Sequence, residues 1–317
     1  VVALIELKAR FDEQNNIDYS ERLEDSGCKV LYGFEDYKVH SKICLITRNS
    51  SRGPQYVAQI ATGNFNENTA KQYTDLSYLT SNPGIVRDSV AFFRNMMIGR
   101  LDGSYHSLLV APVSLKSTLI RLIERETAKK EKGRILAKVN AITDEDLIEK
   151  LSEASRAGVK ITLIVRGICC LLPGIPGHTD SITIRSIVGR YLEHSRIYVF
   201  GEGKSERMYI SSADFMTRNT EHRVEIAAPV ADADIRQRIR FYLDFCLKDN
   251  VKARQLDSTG RWHHVKDDQL PFDCQQELMD TTAGSKQTLP TGVRVKAPVR
   301  VFETRFHRNA KRKKTGQ

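Results

Sequence analysis

Two short stretches constrain this chain more than anything else in it, because they read as copies of one another. Residues 37–46 (YKVHSKICLI) and 191–200 (YLEHSRIYVF) each set a histidine two residues before a cation at the head of an apolar run. In a strand, side chains i and i+2 face the same way. His40 is therefore expected to project with Lys42, and His194 with Arg196. An imidazole beside a fixed cation suits a multiply charged oxyanion, with the ring as nucleophile or proton donor and the cation holding the anion.

The surroundings repeat as well. Arg10 precedes His40 by 30 residues, and Arg166 precedes His194 by 28. Phe65 and Asp75 follow His40 by 25 and 35 residues; Phe215 and Glu225 follow His194 by 21 and 31. A single insertion in the 49–54 turn accounts for both downstream differences. The pattern reads as two duplicated halves that each give one histidine to a shared site. The bland alternative, a hydrogen-bonded core histidine at a strand start, accounts for either residue alone better than for the pair.

Strands are expected at 2–9, 29–32, 39–47, 56–61 and 75–79, with helices at 18–26 and 86–97. The polar segment 99–107 is the candidate boundary. Beyond it, strands are expected at 108–111, 138–140, 160–165, 182–187, 196–200, 208–210 and 223–227, with helices at 117–130, 144–157 and 234–246. Such alternation predicts an α/β fold with mixed sheets. The expected domains are 1–105 and 106–256, with 257–317 a poorly ordered basic extension, because periodicity fades after residue 253.

A chain of 317 residues accommodates two domains. The net charge of +10 points to an anionic partner, but six of the cations fall in residues 305–314, so bulk charge decides little. No apolar run approaches the length of a membrane span. The chain opens directly into a strand-like run without a basic leader, as expected of a piece of a longer protein. The six cysteines form no C-x-x-C pair and read as reduced core residues.

Arg10 and Arg166 each end an apolar strand, where α/β sheets place ligand-binding groups; a surface salt bridge is the alternative. The turn TGNFN (62–66) brings the carboxamide of Asn64 to bear on an oxyanion or a histidine. In the other half, Asp214 is placed to orient an imidazole and Arg218 to bind phosphate. Neither G-x-x-x-x-G-K-[ST] nor G-x-G-x-x-G occurs, so a nucleotide here is not held by either familiar loop.

H-x-K before an apolar strand, with the TGNFN turn downstream of the first copy, resembles the phospholipase D superfamily. The strings ELKARFDE (6–13), KVHSKICLITR (38–48), ATGNFNENTAKQYTDLSYLT (61–80), LIVRGICCLLPG (163–174), RSIVGRYLEHSRIYVF (185–200) and YISSADFMTRN (209–219) are similar to one branch of it, the bacterial type 1 polyphosphate kinases. The resemblance covers roughly residues 1–257. It implies two tandem phospholipase D-like domains related by internal duplication, each a mixed β-sheet flanked by helices. It also implies reversible transfer of the terminal phosphate of ATP to inorganic polyphosphate through a phosphohistidine.

By the same resemblance His40 matches the phosphorylated histidine. His194 matches the second essential one, which contacts the nucleotide phosphates and serves as proton donor. Tyr73 and Arg166 match nucleotide-binding positions, and Arg10 a magnesium and phosphate position. Lys42, Arg166, Arg196 and Arg218 are expected to neutralise phosphate charge. The implied cofactor is Mg2+, and the implied partners are ATP, ADP and polyphosphate. A cytoplasmic homo-oligomer is expected, with peripheral association at the inner membrane compatible with the family. The family's preceding domains, with a further magnesium-associated arginine and an adenine-contacting asparagine, lie upstream of Val1. The strict H-x-K-x-x-x-x-D pattern is not met, since Thr47 and Gly201 stand at the aspartate positions. That weighs against the alternative, a phosphodiesterase or phospholipase using the same histidines. A nucleic-acid module leaves the paired histidines unexplained.

Overall fold

Apolar runs from the second half of the chain build a large mixed sheet. In the computed structural model, which describes residues 1–7, 13–51 and 53–282, strands Arg134–Val139, Lys160–Val165 and Ile182–Ile187 are parallel neighbours. Their interiors are mostly apolar on both faces, as parallel strands covered on both sides require. Arg196–Phe200, Arg207–Ser211 and Arg223–Pro229 continue the sheet antiparallel on one side. Ala253–Leu256 and Trp262–His264 continue it on the other. Leu109–Ala111 and Lys38–Val39, both paired with Arg223–Pro229, complete ten strands.

Alternation along one strand divides the core in two. Tyr198 and Phe200 face helices Leu115–Thr127 and Glu145–Arg156 and pack with Leu119, Ile123, Leu147 and Leu151. Ile197 and Val199 face the other way, into a core shared with Ala58, Ile60, Tyr78 and Phe92 of the first half. Those residues come from the three-stranded antiparallel sheet Ile43–Ser50, Gly53–Ala61, Ser77–Thr80 and from helix Pro83–Met97. The helix, expected from residue 86, begins three residues earlier. Asn82 accepts from the backbone N–H groups of Gly84 and Ile85, and Pro83 occupies the first turn. No helix among the described residues is long and apolar enough to cross a membrane.

Three expectations change. First, the strand expected at 39–47 is broken at the histidine. Lys38–Val39 pairs in parallel with Arg223–Val224 of the second half. The N–H groups of His40 and Ser41 both donate to Val224 O at 2.9 Å, and only then does Ile43–Ser50 enter its own sheet. His194 repeats the arrangement. Leu192–Glu193 pairs with Tyr73–Thr74 of the first half, and Arg196–Phe200 then enters the large sheet. Each histidine thus sits where the chain passes from the other half's strand to its own sheet.

Second, Arg10 and Arg166 are not equivalents in the repeat. Helix Glu13–Asp25 connects parallel strands Val2–Ile5 and Lys29–Tyr32, as Glu145–Arg156 connects Arg134–Val139 and Lys160–Val165. Arg10 precedes the helix of its unit, whereas Arg166 follows the strand after it; Arg10 itself lies outside the described residues. Third, residues 257–282 are not featureless. Trp262–His264 adds a strand to the large sheet and Cys274–Thr282 is a helix. Phe272 packs edge-on against Phe245 at 5.1 Å, and Cys274 is fully buried. These elements are too short to show periodicity. Residues 283–317 lie outside the described residues.

Candidate active site

The break at His40 turns its ring onto a carboxylate of the other half. Nδ1 lies 2.9 and 3.0 Å from the two oxygens of Glu225. Glu225 is fully buried and also accepts from Ser212 Oγ at 2.5 Å and Asn219 Nδ2 at 2.8 Å. Burial pushes its carboxyl up, but His40, Lys42 and Ser212 together hold it below the usual range. An ionised acceptor fixes the His40 tautomer: Nδ1 carries the proton and Nε2 the lone pair. Burial is also the largest influence on His40 itself. It lowers the imidazole to about 4 against the upward pull of Glu225, so the ring is neutral at neutral pH.

His194 mirrors this. Its Nδ1 lies 2.9 Å from both oxygens of Asp75, which accepts in turn from Thr62 Oγ1 at 2.6 Å. Burial again lowers the imidazole, opposed by Asp75. The Tyr73 ring sits 5.0 Å from the His194 ring. The glycine of the TGNFN turn has a steric reason: a Cβ on Gly63 would fall 1.9 Å from Asp75 Oδ2. The two pairs are crossed, each histidine being oriented by a carboxylate from the opposite half.

Cations fill the space between. Arg196, 4% exposed, makes a two-pronged contact with Asp214 at 3.1 and 3.2 Å. Its Nη1 donates to the carbonyls of Thr62 and His194, both at 3.0 Å, and comes 3.0 Å from His194 Nε2. Its charge reaches both His40 and His194. Lys42 Nζ donates to His40 O, and burial lowers its ammonium to about 7. Arg166 Nε donates to Asn140 Oδ1 at 2.9 Å, and Asn140 Nδ2 donates to His194 O at 3.2 Å and Asp214 Oδ1 at 3.1 Å.

His40, Lys42, Tyr73, Arg166, His194 and Arg196 therefore come together. Asn64 and Arg218 are exposed, and among the described residues neither is bonded to the histidines or their carboxylates. Asp214, expected to orient an imidazole, instead neutralises Arg196. The imidazole partners are Asp75 and Glu225, whose matched offsets were the available signal. Two neutral rings, each held at Nδ1 by a carboxylate and set among buried cations, have the chemistry that a nucleophile toward an anionic group requires. Among the described residues no three His, Cys, Asp or Glu side chains gather as metal ligands.

Comparison with known proteins bears on this geometry. The family model described as polyphosphate kinase C-terminal domain 1 matches residues 1–100, and that described as C-terminal domain 2 matches residues 108–275. A polyphosphate kinase of Staphylococcus haemolyticus is 46% identical over 282 residues, covering 88% of this chain and 39% of the relative. One of Bacillus anthracis is 45% identical over 268 residues, covering 84% and 38%. The chain thus spans about two fifths of the length of these relatives. Among solved structures, polyphosphate kinase from Porphyromonas gingivalis superposes with a TM-score of 0.80 at 39% identity, covering 90% of this chain and 44% of that one. Phosphatidylserine synthase from Haemophilus influenzae, at 10% identity and a TM-score of 0.50, shares the fold alone. The architecture is a mixed α/β one with sheets flanked by helices, matched along the chain by the two C-terminal domain models in turn.

Proposed function

The chain belongs to the polyphosphate kinase family, and from that premise we propose that it carries the catalytic site of an ATP:polyphosphate phosphotransferase working through a phosphohistidine at His40. The observation that carries the reading is a neutral imidazole whose Nδ1 is tied to a buried, ionised Glu225.

In the first transfer, His40 Nε2 attacks the terminal phosphorus of ATP. The N–P bond forms as the bridging O–P bond breaks, and the electron pair leaves on ADP. The proton on Nδ1 stays, and the positive charge of the phosphorylated ring is balanced by Glu225. In the second, a terminal oxygen of polyphosphate attacks the same phosphorus and the N–P pair returns to Nε2. Such transfers ask for positioning and charge neutralisation, which falls to Lys42, Arg166 and Arg196. His194, held by Asp75, faces the nucleotide phosphates, with Tyr73 beside it. Three side chains already committed to ion pairs, Asp75, Asp214 and Glu225, offer no cage for a resident metal. In this reading magnesium arrives on the phosphates of ATP as part of the substrate, neutralising their charge there.

The pH dependence of labelling by terminally labelled ATP tests this, through the second-order rate constant that reports the free protein. His40 is a nucleophile only when neutral, above about 4, and Lys42 neutralises phosphate only when protonated, below about 7. The rate constant is expected to be highest between these limits and to fall on either side. Lys42→Arg is expected to remove the alkaline limb. An acid limb at the ordinary histidine value near 6.5 would count against the Glu225-bound, buried nucleophile.

A further inference from the structure

A carboxylate inside a core needs several donors to remain there, and the one beside His194 has them. Glu193, 3% exposed, takes Lys138 Nζ at 3.2 Å, Thr74 Oγ1 at 2.9 Å, Tyr242 Oη at 2.6 Å and Gln275 Nε2 at 2.6 Å. Lys138, 1% exposed, also reaches Ser195 Oγ at 3.0 Å. The residues on both sides of His194 are thus held by one buried ion pair that the transfer described above does not use.

Gln275 is the member of this group that comes from farthest along the chain. Beyond Glu193 it makes two bonds to Tyr191: Oε1 accepts from the backbone N–H at 2.9 Å, and Nε2 donates to the backbone carbonyl at 2.9 Å. Gly189 makes room for it, since a Cβ there would lie 2.6 Å from Gln275 Oε1. The start of its helix is fixed by Asp249, which accepts from the N–H groups of Cys274 and Ala253, both at 2.8 Å. The segment so gripped contains Leu192–Glu193, which pairs with Tyr73–Thr74 over only two residues. A pairing that short does not set its own register. Yet it brings Tyr73 onto the His194 ring and sets Asp75 opposite Nδ1.

We infer that Gln275 is a positioning residue for His194, holding Tyr191 and Glu193 so that the Leu192–Glu193 strand stays in register with Tyr73–Thr74 and His194 stays on Asp75. The catalytic consequence rests on the phosphotransfer reading, but the geometry does not, and the test is chosen to read the geometry. The groups that face His194 are Asp75, Arg196, Asp214 and Tyr73. When the segment loosens, His194 leaves all of them together with its buried setting and returns toward the ordinary histidine value.

The experiment follows the ring protons of His40 and His194 by NMR against pH in the 317-residue chain. Gln275→Met keeps the shape and removes the amide. It is expected to raise the His194 midpoint toward the ordinary histidine value and leave His40 in place, with faster amide exchange at residues 73–74 and 192–194. Gly189→Ala, which presses on Gln275 from the opposite side, is the second variant and is expected to move His194 the same way. Gln276→Ala, on the exposed side of the helix, is expected to change nothing. Leu119→Ala, which opens a cavity under the large sheet, is expected to lower the melting temperature without separating the two histidines. If the Gln275 and Gly189 variants leave His194 unmoved, or shift both histidines together, Gln275 is a structural residue only and the inference is overturned. Because no turnover enters the measurement, its outcome is independent of whether the phosphotransfer reading holds.

Discussion

Arg196→Ala is expected to cost about 3–5 kcal/mol of folding stability, the range found when one partner of a buried ion pair is removed, and to abolish phosphate labelling. The size of the effect follows from what the arginine leaves behind. Asp214 is 7% exposed, and its guanidinium partner is lost. Its remaining donors are the backbone N–H and side-chain amide of Asn140, at 2.7 and 3.1 Å. The carbonyls of Thr62 and His194 lose a donor at the same time. Arg196→Lys is expected to fall between, since an ammonium keeps the charge but does not span both Asp214 oxygens and two carbonyls. Urea denaturation of the chain measures this. A loss below about 1 kcal/mol, the value of an exposed pair, would mean that Arg196 is not the buried keystone described here.

Glu225→Gln is expected to slow labelling of the protein by about 10²–10⁴-fold, by analogy with a triad aspartate replaced by its amide. The reason lies in the donors that surround position 225. Ser212 Oγ, Asn219 Nδ2 and His40 Nδ1 all point at the carboxylate, and an amide offers one oxygen to accept from them. Its NH2 group, turned toward the ring, accepts nothing and favours the tautomer with the proton on Nε2, which removes the nucleophile. It also removes the negative charge that balances a phosphorylated ring. Single-turnover labelling with terminally labelled ATP measures the rate. A loss of less than about tenfold would show that tautomer control by Glu225 contributes little.

The histidines and cations that the structure brings together were legible in the sequence, and the carboxylates that hold the histidines were not assigned to them. His40, Lys42, His194 and Arg196 are close together in sequence and repeated, so local periodicity finds them. Their carboxylates lie 119 and 185 residues away along the chain, and no local pattern connects residues so far apart. Asp75 and Glu225 already showed matching offsets, yet Asp214 stood nearer to a histidine and drew the assignment. The crossing of the two halves explains the error, because each histidine turns to a strand of the other half just before entering its own sheet. The same crossing breaks the strands that continuous apolar runs suggested at 39–47. Gln275 was hidden differently. It stands in a nine-residue helix with few apolar positions, where burial comes from Tyr191, Glu193 and Asp249 and not from a hydrophobic stripe. Of the long elements, Pro83–Met97 was foreseen from its amphipathic face, though from residue 86, and Glu145–Arg156 from its stop at Gly158, while their caps at Asn82 and Asp144 are seen only in the structure.

The central claim is that the phosphate passes through His40, and incubation with terminally labelled ATP and magnesium tests it most directly. The measurement compares wild type, His40→Ala and His194→Ala, in this chain and in the chain joined to the remaining length of its relatives. The account predicts label on the wild type that is stable to base and labile to acid, absent from His40→Ala, and strongly reduced in His194→Ala. Label of wild-type intensity on His40→Ala, or none on the wild type at either length, would contradict it.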